Sequence, residues 1–528
     1  ERMAVVVEAK DVDSFIAHAA QENLLAVDVA EVTDSGRMQI FWRGEIIVDL
    51  DREFLDTAGT EKSMHAKAVS KSWAETQAIT PLTTEQFKKE LSQLNVASQK
   101  GLIENFDSHV GRTTVLMPLG GKHLKTPALA SVNTIPILNK STSTCAISTW
   151  GFSTDLANKN PFLMGGYAVV ESLAKLVASG GNHKDARLSF QEYFERLGTD
   201  AEKWGKPLQA LLGALEAQLE FETAAIGGKD SMSGTFDEIH VPPTLISFAC
   251  AVGDAKNITS PEIKADGNYL YIAEHTPDAS GVPNYDQLNK AYTDIHKHIK
   301  NGTIISAQTI KEGGLASAVF KMAVGNGIGA DINYGKDCFK PQIGSLILES
   351  TSELEGYKLL GKTGGSSLII NEENFNLSEL TAAWEGTLEP IFPSKTQKSD
   401  SPRLEPWPKY EAHPSTAAQD DFSKVDTPRV FIPIFPGTNC EYETEHVFVE
   451  AGADVHRRLF TNNTEKAIAE SIAAFVKQIN AANIMMIPGG FSAGDEPDGS
   501  AKYIVSVLKN PAIKEAVHAL LERGGLML

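Results

Sequence analysis

The last hundred residues alternate between short apolar runs and helical patterns, and this alternation restricts the fold more than any other feature. Apolar runs at residues 430–434, 455–459 and 484–487 predict strands, and the segments between them, such as 467–479, have helical periodicity. Strands separated by helices pair in parallel, because each helix returns the chain to the same end of the sheet. Residues 428–528 are therefore predicted to form a doubly wound α/β sheet.

The chain has 528 residues, which is too long for one hydrophobic core, and about three domains are expected. Residues 61–100 are polar around one predicted helix and are interpreted as a connector. Residues 396–427 contain four prolines among polar residues and are interpreted as a linker. The predicted divisions are residues 1–60, 61–100, 101–255, 256–395, 396–427 and 428–528.

The charge and the cysteines exclude several classes of protein. The net charge of −20 argues against a nucleic-acid partner, because phosphate neutralisation needs a basic surface, but it permits nucleotide substrates. The four cysteines lie far apart without a CxxC pair, which predicts a reduced, cytoplasmic protein without a zinc site or disulfide framework. The sequence has no run of about 18 apolar residues that would predict a membrane span.

The stretch 224–236, AAIGGKDSMSGTF, combines two adjacent glycines with a lysine, an aspartate and two serines. Gly227 and Gly228 allow backbone angles and close approaches that a side chain would block. Backbone N–H groups in such a turn can bind an anion, and Lys229 adds a positive charge. The string alone fits equally well an ordinary glycine turn with a lysine at its tip, so both interpretations stay open here.

Gly489 and Gly490 follow the predicted strand at 484–487, where open α/β sheets place their sites. Two glycines there can direct N–H groups at a developing oxyanion, although a tight turn after a core strand explains them as well. Cys440 is not expected to be a nucleophile, because it lacks a histidine partner in a suitable position. His446 is expected to be a surface or packing residue.

Several motifs, in chain order, resemble phosphoribosylformylglycinamidine synthase in its large, single-chain form. IPIFPGTNCEYETE, IMMIPGGFSAGDEPDGS and ERGGLML resemble the start of the family's class I glutaminase domain. LNVASQKGLIENFDSHVGRTTVLMPLGGK, YAVVESLAKLVASGG, LSFQEYFERLG and AAIGGKDSMSGTF resemble its second synthetase half. The first sixty residues resemble the end of its first half, so the resemblance covers nearly the whole chain.

The resemblance implies a multidomain α/β and α+β fold. Synthetase modules similar to aminoimidazole ribonucleotide synthetase would precede a partial, doubly wound glutaminase domain. Residues 1–60 would end the first module, residues 101–255 and 256–395 would be the two subdomains of the second, and residues 428–528 would begin the glutaminase domain. The N-terminal half and the end of the glutaminase domain would then lie outside this sequence, and the piece itself is expected to be inactive.

The resemblance also implies a ligase of purine biosynthesis that uses ATP and Mg²⁺. The family converts formylglycinamide ribonucleotide, ATP and glutamine to the amidine. ATP activates the amide oxygen of the substrate as a phosphate ester, and channelled ammonia displaces it. Small-molecule substrates, a cytoplasmic location and a monomeric parent protein follow as expectations, with neither nucleic acid nor membrane as a partner.

Site residues are transferred from the family one at a time. Gly228, Lys229 and Ser231 match the loop that in related smaller enzymes contacts nucleotide, magnesium and substrate phosphate. Lys229 stands where those enzymes have a metal-binding asparagine, which argues against a metal at this point. Ser189 and Gln191 match a segment that reaches the nucleotide. The catalytic cysteine of the glutaminase is expected just after Leu528, which leaves Gly489 and Gly490 as the oxyanion-side residues.

The family's large form also holds an auxiliary nucleotide with magnesium. Glu171 matches a glutamate ligand of that site, whereas Thr144, Lys175 and Thr309 stand in place of two aspartates and an asparagine, and Lys311 replaces a serine that contacts the nucleotide. A lysine cannot bind Mg²⁺, and Glu171 and Lys175 lie four residues apart on one predicted helix, where they can pair. The site has therefore either lost its metal in favour of lysine charges or become a structural ion pair.

Two other functions compete with the ligase. The chain could be a non-catalytic nucleotide-binding fragment or scaffold, or a small-molecule kinase of the same superfamily. The glutaminase-like motifs count against a kinase, because a kinase needs no ammonia.

Overall fold

The computed structural model describes residues 3–57, 63–69, 79–106, 111–137, 140–395, 425–490 and 500–528. The chain divides into two compact units. Unit 1 contains Glu1–Glu61, Ile137–Lys140 and Ser399–Leu528, and unit 2 contains Lys62–Pro136 and Ser141–Lys398.

The helices and strands are numbered in chain order. The helices are α1 Val12–Gln21, α2 Arg52–Asp56, α3 Thr84–Leu91, α4 Lys100–Glu104, α5 Thr154–Ala157, α6 Pro161–Ala178, α7 Ala201–Phe221, α8 Tyr285–Lys300, α9 Gly314–Val324, α10 Leu377–Gly386, α11 Glu441–Glu450, α12 Glu465–Ala481, α13 Ser500–Leu508 and α14 Pro511–Glu522. The strands are β1 Arg37–Trp42, β2 Glu45–Asp51, β3 Leu119–Gly120, β4 Thr126–Pro127, β5 Ser131–Thr134, β6 Thr144–Gly151, β7 Arg187–Tyr193, β8 Ala225–Lys229, β9 Thr235–Phe236, β10 Ile239–His240, β11 Thr244–Asp254, β12 Tyr269–Ala273, β13 Ile304–Thr309, β14 Ala330–Ile332, β15 Leu346–Ser350, β16 Lys358–Thr363, β17 Ser367–Ile370, β18 Glu373–Asn376, β19 Arg429–Ile434, β20 Asp454–Leu459, β21 Ile484–Met485 and β22 Leu526–Met527.

The amino-terminal segment of unit 1 is a helix followed by a hairpin. Strands β1 and β2 pair with each other in antiparallel register, and neither strand contains a buried residue. The apolar runs at residues 5–7 and 25–32 form no strand, because both segments are irregular. Apolar runs predict that a strand is possible, but only a neighbouring strand can complete its ladder of hydrogen bonds.

The carboxyl-terminal part of unit 1 confirms the doubly wound sheet. Its four strands lie in the order β20-β19-β21-β22, and every neighbouring pair is parallel. Phe431, Phe435, Phe460 and Phe475 pack edge to face or stacked in the core beneath helix α12. The strands begin and end within two residues of the predicted bounds, because they combine apolar runs with clear flanking helices.

Unit 2 contains a five-stranded sheet in the order β5-β6-β11-β7-β8. Strands β6, β11 and β7 pair in antiparallel register, whereas β8 joins β7 in parallel at the edge. The apolar run at residues 114–117 forms no strand, and Thr114 makes an isolated bridge with Asn133. One face of this sheet is covered by α6, whose apolar residues fill the larger core cluster of the unit.

Helices α6 and α7 pack closely because each contributes a glycine to the contact. A Cβ atom on Gly165 would overlap the carbonyl oxygen of Ala210, and one on Gly213 would overlap that of Phe162. By length and composition α6 could cross a membrane, but 94% of it is buried within the protein, and core helices pass the same test. Helix α7 begins at Ala201, because Asp200 caps its first N–H groups, and Pro207 is accommodated inside it.

A seven-stranded sheet completes unit 2, in the order β13-β15-β12-β16-β14-β17-β18. Helices α3, α9 and α10 pack on a second core cluster around Phe87, Phe320 and Trp384. Phe87 and Leu91 of the predicted connector are fully buried here. The predicted linker falls largely on residues 396–424, outside the described residues, and the domain bounds stay a prediction.

Candidate functional site

The segment that begins with Gly227 lies beside the predicted nucleotide segment of β7. Strand β8 pairs in parallel with β7, so that Ser189 lies opposite Gly227 and Gln191 lies opposite Lys229. The structure therefore brings together four of the predicted residues, Ser189, Gln191, Gly228 and Lys229. Lys229 is exposed, and Gln191 is half-buried with its Nε2 donating to the carbonyl of Glu192 at 3.2 Å.

The two glycines serve a different purpose from the one the sequence suggested. Residues 225–229 form an edge strand, and neither glycine has a positive φ, so the expectation of a turn with unusual backbone angles is wrong here. A Cβ atom on Gly228 would overlap the carbonyl oxygen of Phe190, whereas Gly227 has open space around it. Only Gly228 needs to be glycine for close approach, because β8 presses its backbone against β7.

The loop after β8 carries the remaining polar groups of this site. The hydroxyl groups of Ser231 and Ser233 lie 2.8 Å apart, and the carbonyl of Ser231 accepts from the N–H of Phe194 at 2.8 Å. Glu192, which the sequence analysis did not select, is buried beside this loop, and its Oε1 has no hydrogen-bond partner among the described residues. Burial, followed by the charge of Asp230, raises the pKa of Glu192 to about 7.

A second cluster forms around Glu171 on α6. The Oε1 of Glu171 accepts from Lys175 Nζ at 2.7 Å and from Lys311 Nζ at 2.9 Å. Its Oε2 accepts from the backbone N–H of Phe152 at 3.0 Å. The predicted i,i+4 pair of Glu171 and Lys175 is confirmed, and Lys311 joins the same oxygen from the chain segment that precedes α9.

The charges of this cluster depend on one another. Burial alone would raise the pKa of Glu171, but the ammonium groups of Lys175 and Lys311 lower it below its usual value. Lys175 also donates to the carbonyl of Trp150 at 2.9 Å, and its ammonium lies 3.8 Å from the centre of the Trp150 ring. The glutamate therefore stays ionised inside the protein because two cations hold it.

The residues of this cluster do not fit the magnesium site that the family resemblance implies. Both oxygens of Glu171 are already occupied by ammonium or N–H donors, and lysines cannot serve as ligands. Among the described residues, no group of three or more His, Cys, Asp or Glu side chains is arranged to hold a metal. Thr144 was wrongly expected here, because it pairs with Asp254 at the opposite end of β6 from Trp150.

A cavity of about 670 Å³ adjoins the cluster. Lys175, Thr309 and Lys311 line it. Ser317 and Lys321 also line the cavity, and neither was predicted from the sequence. Their spacing from Gly314, at i+3 and i+7 after a Gly-Gly helix start, was the available signal.

Gly489 and Gly490 follow the carboxyl end of β21 in the parallel sheet of unit 1. The backbone N–H of Asn439 donates to the carbonyl of Gly489 at 2.6 Å, and Gly490 forms an isolated bridge with Thr438. Both glycines are exposed. The N–H of Ile487 donates to the carbonyl of Leu528 at 2.9 Å, so the segment after β22 approaches the same edge.

Cys440 and His446 do not form a catalytic pair in the described residues. Cys440 is exposed at the start of α11 with a φ of 63°. His446 is buried, and its Nε2 lies 3.3 Å from Glu450 Oε1, which agrees with the expectation of a packing residue.

Comparison with known proteins gives two kinds of similarity. The family described as CobB/CobQ-like glutamine amidotransferase domain matches residues 427–528. The phosphoribosylformylglycinamidine synthase subunit PurL of Thermoplasma acidophilum is 21% identical over 445 residues, which cover 74% of this chain and 56% of the relative. The subunit PurL of a Nocardioides species is 25% identical over 432 residues, with 74% and 55% covered.

A solved structure of Thermotoga maritima PurL complexed with FGAR is 16% identical and has a TM-score of 0.49, covering 68% of this chain and 53% of that chain. The chain spans about half the length of the curated relatives that it matches, at 56% and 55%. The chain is therefore similar to phosphoribosylformylglycinamidine synthase PurL subunits over about three quarters of its length, and it carries a glutamine amidotransferase domain at residues 427–528.

Proposed function

We propose that the protein to which this chain belongs is an ATP- and glutamine-dependent ligase that converts formylglycinamide ribonucleotide to formylglycinamidine ribonucleotide. The observation that carries the proposal is the presence in one chain of PurL similarity and a glutamine amidotransferase domain. A phosphoryl-transfer enzyme alone has no use for ammonia, whereas a ligase that makes an amidine from an amide needs a source of it.

The chemistry balances with ATP and glutamine as co-substrates. The amide oxygen of the ribonucleotide attacks the γ-phosphorus of ATP, ADP leaves, and an imino-phosphate ester forms. Ammonia from glutamine then adds to the same carbon, and inorganic phosphate leaves with the former amide oxygen. The first step converts the amide oxygen, a poor leaving group, into a phosphate ester, and the second step expels it as inorganic phosphate, so ATP is consumed in making the oxygen displaceable.

The described residues are assigned as binding groups in this scheme. Gly228, Lys229 and Ser231 would contact phosphate, because the edge strand and its loop present a cation, a hydroxyl and backbone groups together. Ser189 and Gln191 on the neighbouring strand would contact the nucleotide. Mg²⁺ belongs to the proposal as the ion that accompanies ATP in the complete protein, and none of the residue assignments depends on it.

The glutaminase half of the proposal rests on the carboxyl edge of the parallel sheet. Gly489 and Gly490 would present N–H groups to the oxyanion that forms when a thiolate attacks the glutamine amide. The nucleophile would follow β22, which runs parallel to β21 and ends at the same edge.

A cytoplasmic, monomeric protein with small-molecule substrates and neither nucleic acid nor membrane as partner completes the proposal.

The test is an assay of the full-length protein with formylglycinamide ribonucleotide, ATP and glutamine. We expect ADP release that requires all three, and we expect ammonium chloride to replace glutamine. The coding sequence after Leu528 should contain a G-x-C-x-G elbow, and changing its cysteine to alanine should abolish the glutamine-dependent reaction but leave the ammonia-dependent one. Nucleotide binding without ADP release under any of these conditions would support a binding or scaffold role instead.

A further inference from the structure

The cavity beside Glu171 has a concentration of positive charge that the proposed reaction at the β7–β8 edge does not use. Its volume is about 670 Å³, and three lysines, Lys175, Lys311 and Lys321, line it. Two carboxylates, Glu171 and Glu312, lie against these lysines, with Lys311 Nζ 3.5 Å from Glu312 Oε2. Three cations against two anions leave one positive charge in excess, so the cavity is complementary to an anion.

Lys321 supplies the free charge. In the part of the chain that the structure describes, its ammonium group has neither a hydrogen bond nor an ion pair, unlike those of Lys175 and Lys311. Burial lowers the pKa of Lys321 to about 8, which leaves most of the group charged at neutral pH. A cation that is desolvated without a partner is costly, and an anion that enters the cavity would remove that cost.

Two polar atoms that face this region also lack partners. Ser317 is 1% exposed, lines the cavity, and its Oγ has no hydrogen-bond partner among the described residues. Oδ1 of Asn133, a half-buried residue that also lines the cavity, has no partner among the described residues either, but an amide oxygen only accepts hydrogen bonds and would not contact an anion. Buried polar atoms are nearly always hydrogen-bonded in folded proteins, so an unpartnered hydroxyl in a cavity indicates a missing ligand or water.

The amino end of α9 points into the same space. Gly313 precedes the helix with a φ of 83°, and it makes no side-chain cap. The N–H groups of Gly314 and Ala316 donate to the carbonyls of Lys311 and Cys338, so the helix end acts on the cavity mainly through its partial charge. Gly314, Ser317 and Lys321 follow at helical spacing and line the cavity. The partial positive charge of a helix amino terminus favours an anion at this position.

We propose that this cavity binds a phosphate-bearing anion directly through Lys311, Lys321, Ser317 and the amino end of α9, without a metal ion. The family resemblance implies a magnesium-dependent nucleotide here, but both oxygens of Glu171 are held by lysines and an N–H group. Lysine charge replaces the metal as the counter-charge of the phosphate. The cavity takes either the diphosphate of a nucleotide or free pyrophosphate, and the probes below distinguish these sources.

The first experiment measures binding to the full-length protein in excess EDTA. ADP and pyrophosphate are titrated separately by calorimetry, and the fluorescence of Trp150, which lines the cavity, reports occupancy. We expect metal-free binding with a change in fluorescence that the Trp150→Phe variant lacks. Tighter binding of ADP than of pyrophosphate identifies a nucleotide as the ligand, and equal affinity identifies the diphosphate group alone.

Variants locate the binding. Lys321→Gln should weaken the metal-free affinity at least tenfold, Lys321→Arg should retain most of it, and the exposed Lys300→Gln should leave it unchanged. If Lys321→Gln does not fold, the fluorescence titration of the unmodified protein still shows whether the cavity binds ADP or pyrophosphate without a metal.

Three outcomes would overturn the proposal. The first is the absence of any binding in EDTA. The second is binding that appears only with Mg²⁺ and disappears with Glu171→Gln, which would restore the metal site. The third is metal-free binding that Lys229→Ala removes and Lys321→Gln does not. None of these outcomes would affect the proposed ligase activity, which the three-substrate assay tests separately.

Discussion

Lys311 Nζ lies 2.9 Å from Glu171 Oε1, although 140 positions separate the two residues in the chain. The contact joins α6, which covers the five-stranded sheet, to the segment between β13 and α9 in the other half of unit 2. The glutamate side chain is only 2% exposed, so the contact holds an ion pair inside the protein.

The first prediction concerns the cost of breaking this ion pair. Glu171→Ala leaves the ammonium groups of Lys175 and Lys311 without their shared carboxylate, and we expect it to lower the free energy of unfolding by about 3–5 kcal/mol. Glu202→Ala, which removes the partner of the exposed Lys67, should cost much less. Equal losses in chemical denaturation of the two variants would contradict the assigned role of burial.

The double substitution Glu171→Leu with Lys175→Met refines this prediction. It removes one buried carboxylate and one buried ammonium together, so it should recover much of the stability that Glu171→Ala loses. The measurement is a double-mutant cycle on the unfolding free energy. Additive losses from the two single changes would show that the residues do not act as a pair.

The second prediction concerns the two glycines of β8. Gly228→Ala places a Cβ atom against the carbonyl oxygen of Phe190, and we expect a loss of about 1–3 kcal/mol in unfolding free energy as the edge strand shifts. Gly227→Ala is the matched control, because nothing lies within 4 Å of its Cβ position. The same effect from both changes would show that β8 does not approach β7 as described.

The third prediction concerns the packing of α6 on α7. Gly213→Ala would overlap the carbonyl oxygen of Phe162 and should destabilise the protein. Gly386→Ala, at the end of α10 with open space around it, should stabilise by up to about 1 kcal/mol, because alanine favours helix. Thermal unfolding midpoints that move in opposite directions would confirm the contact, whereas two increases would refute it.

The fourth prediction concerns the pH dependence that His275 contributes. The N–H of Asn284 donates to Nε2 of His275 at 3.0 Å, and Nδ1 lies 3.0 Å from the carbonyl of Ile343, so both ring nitrogens are engaged by the neutral form. Burial lowers the pKa of His275 to about 4, from an ordinary value of 6.5. The neutral, buried His275 contributes stability that is fully present above pH 6.5 and is lost as the pH falls towards 4. The reason is that His275 of the unfolded chain binds a proton at a higher pH than His275 of the folded protein.

The expected loss between pH 7 and pH 5 is about 2 kcal/mol from this residue. A His275→Gln variant should be less stable at pH 7, but its unfolding free energy should fall less between the two pH values. His65 is a suitable control, because its side chain is exposed. If the variant and the unmodified protein lose equal stability on acidification, His275 does not titrate as described.

The sequence predicted those parts of the fold in which local pattern and packing agree. The apolar periodicity of α6 and the strand–helix alternation of the last hundred residues predict the helix and the parallel sheet. In each case only one regular structure buries the apolar side chains of the pattern. The pairing of Glu171 with Lys175 was predictable for the same reason, since a helix places residues four apart side by side.

The predictions that were wrong concern segments whose structure depends on contacts with residues distant in the sequence, which no local pattern shows. Residues 25–32 are rich in valine and leucine, yet no strand forms there, because pairing requires a partner. Gly227 and Gly228 suggested a turn, but they pair with β7 as an edge strand. Lys321 and Ser317 were missed because they reach the cavity only through the tertiary position of α9.

The most direct test of the proposed function follows the amide oxygen of the substrate. Formylglycinamide ribonucleotide labelled with ¹⁸O in its amide group is incubated with the full-length protein, ATP and glutamine, and the released phosphate is analysed by mass. The proposed ligase transfers the label to inorganic phosphate in the same amount as the ADP released, because the oxygen leaves as part of the phosphate ester. Unlabelled phosphate, released together with ADP, would contradict activation of the amide and with it the proposed function.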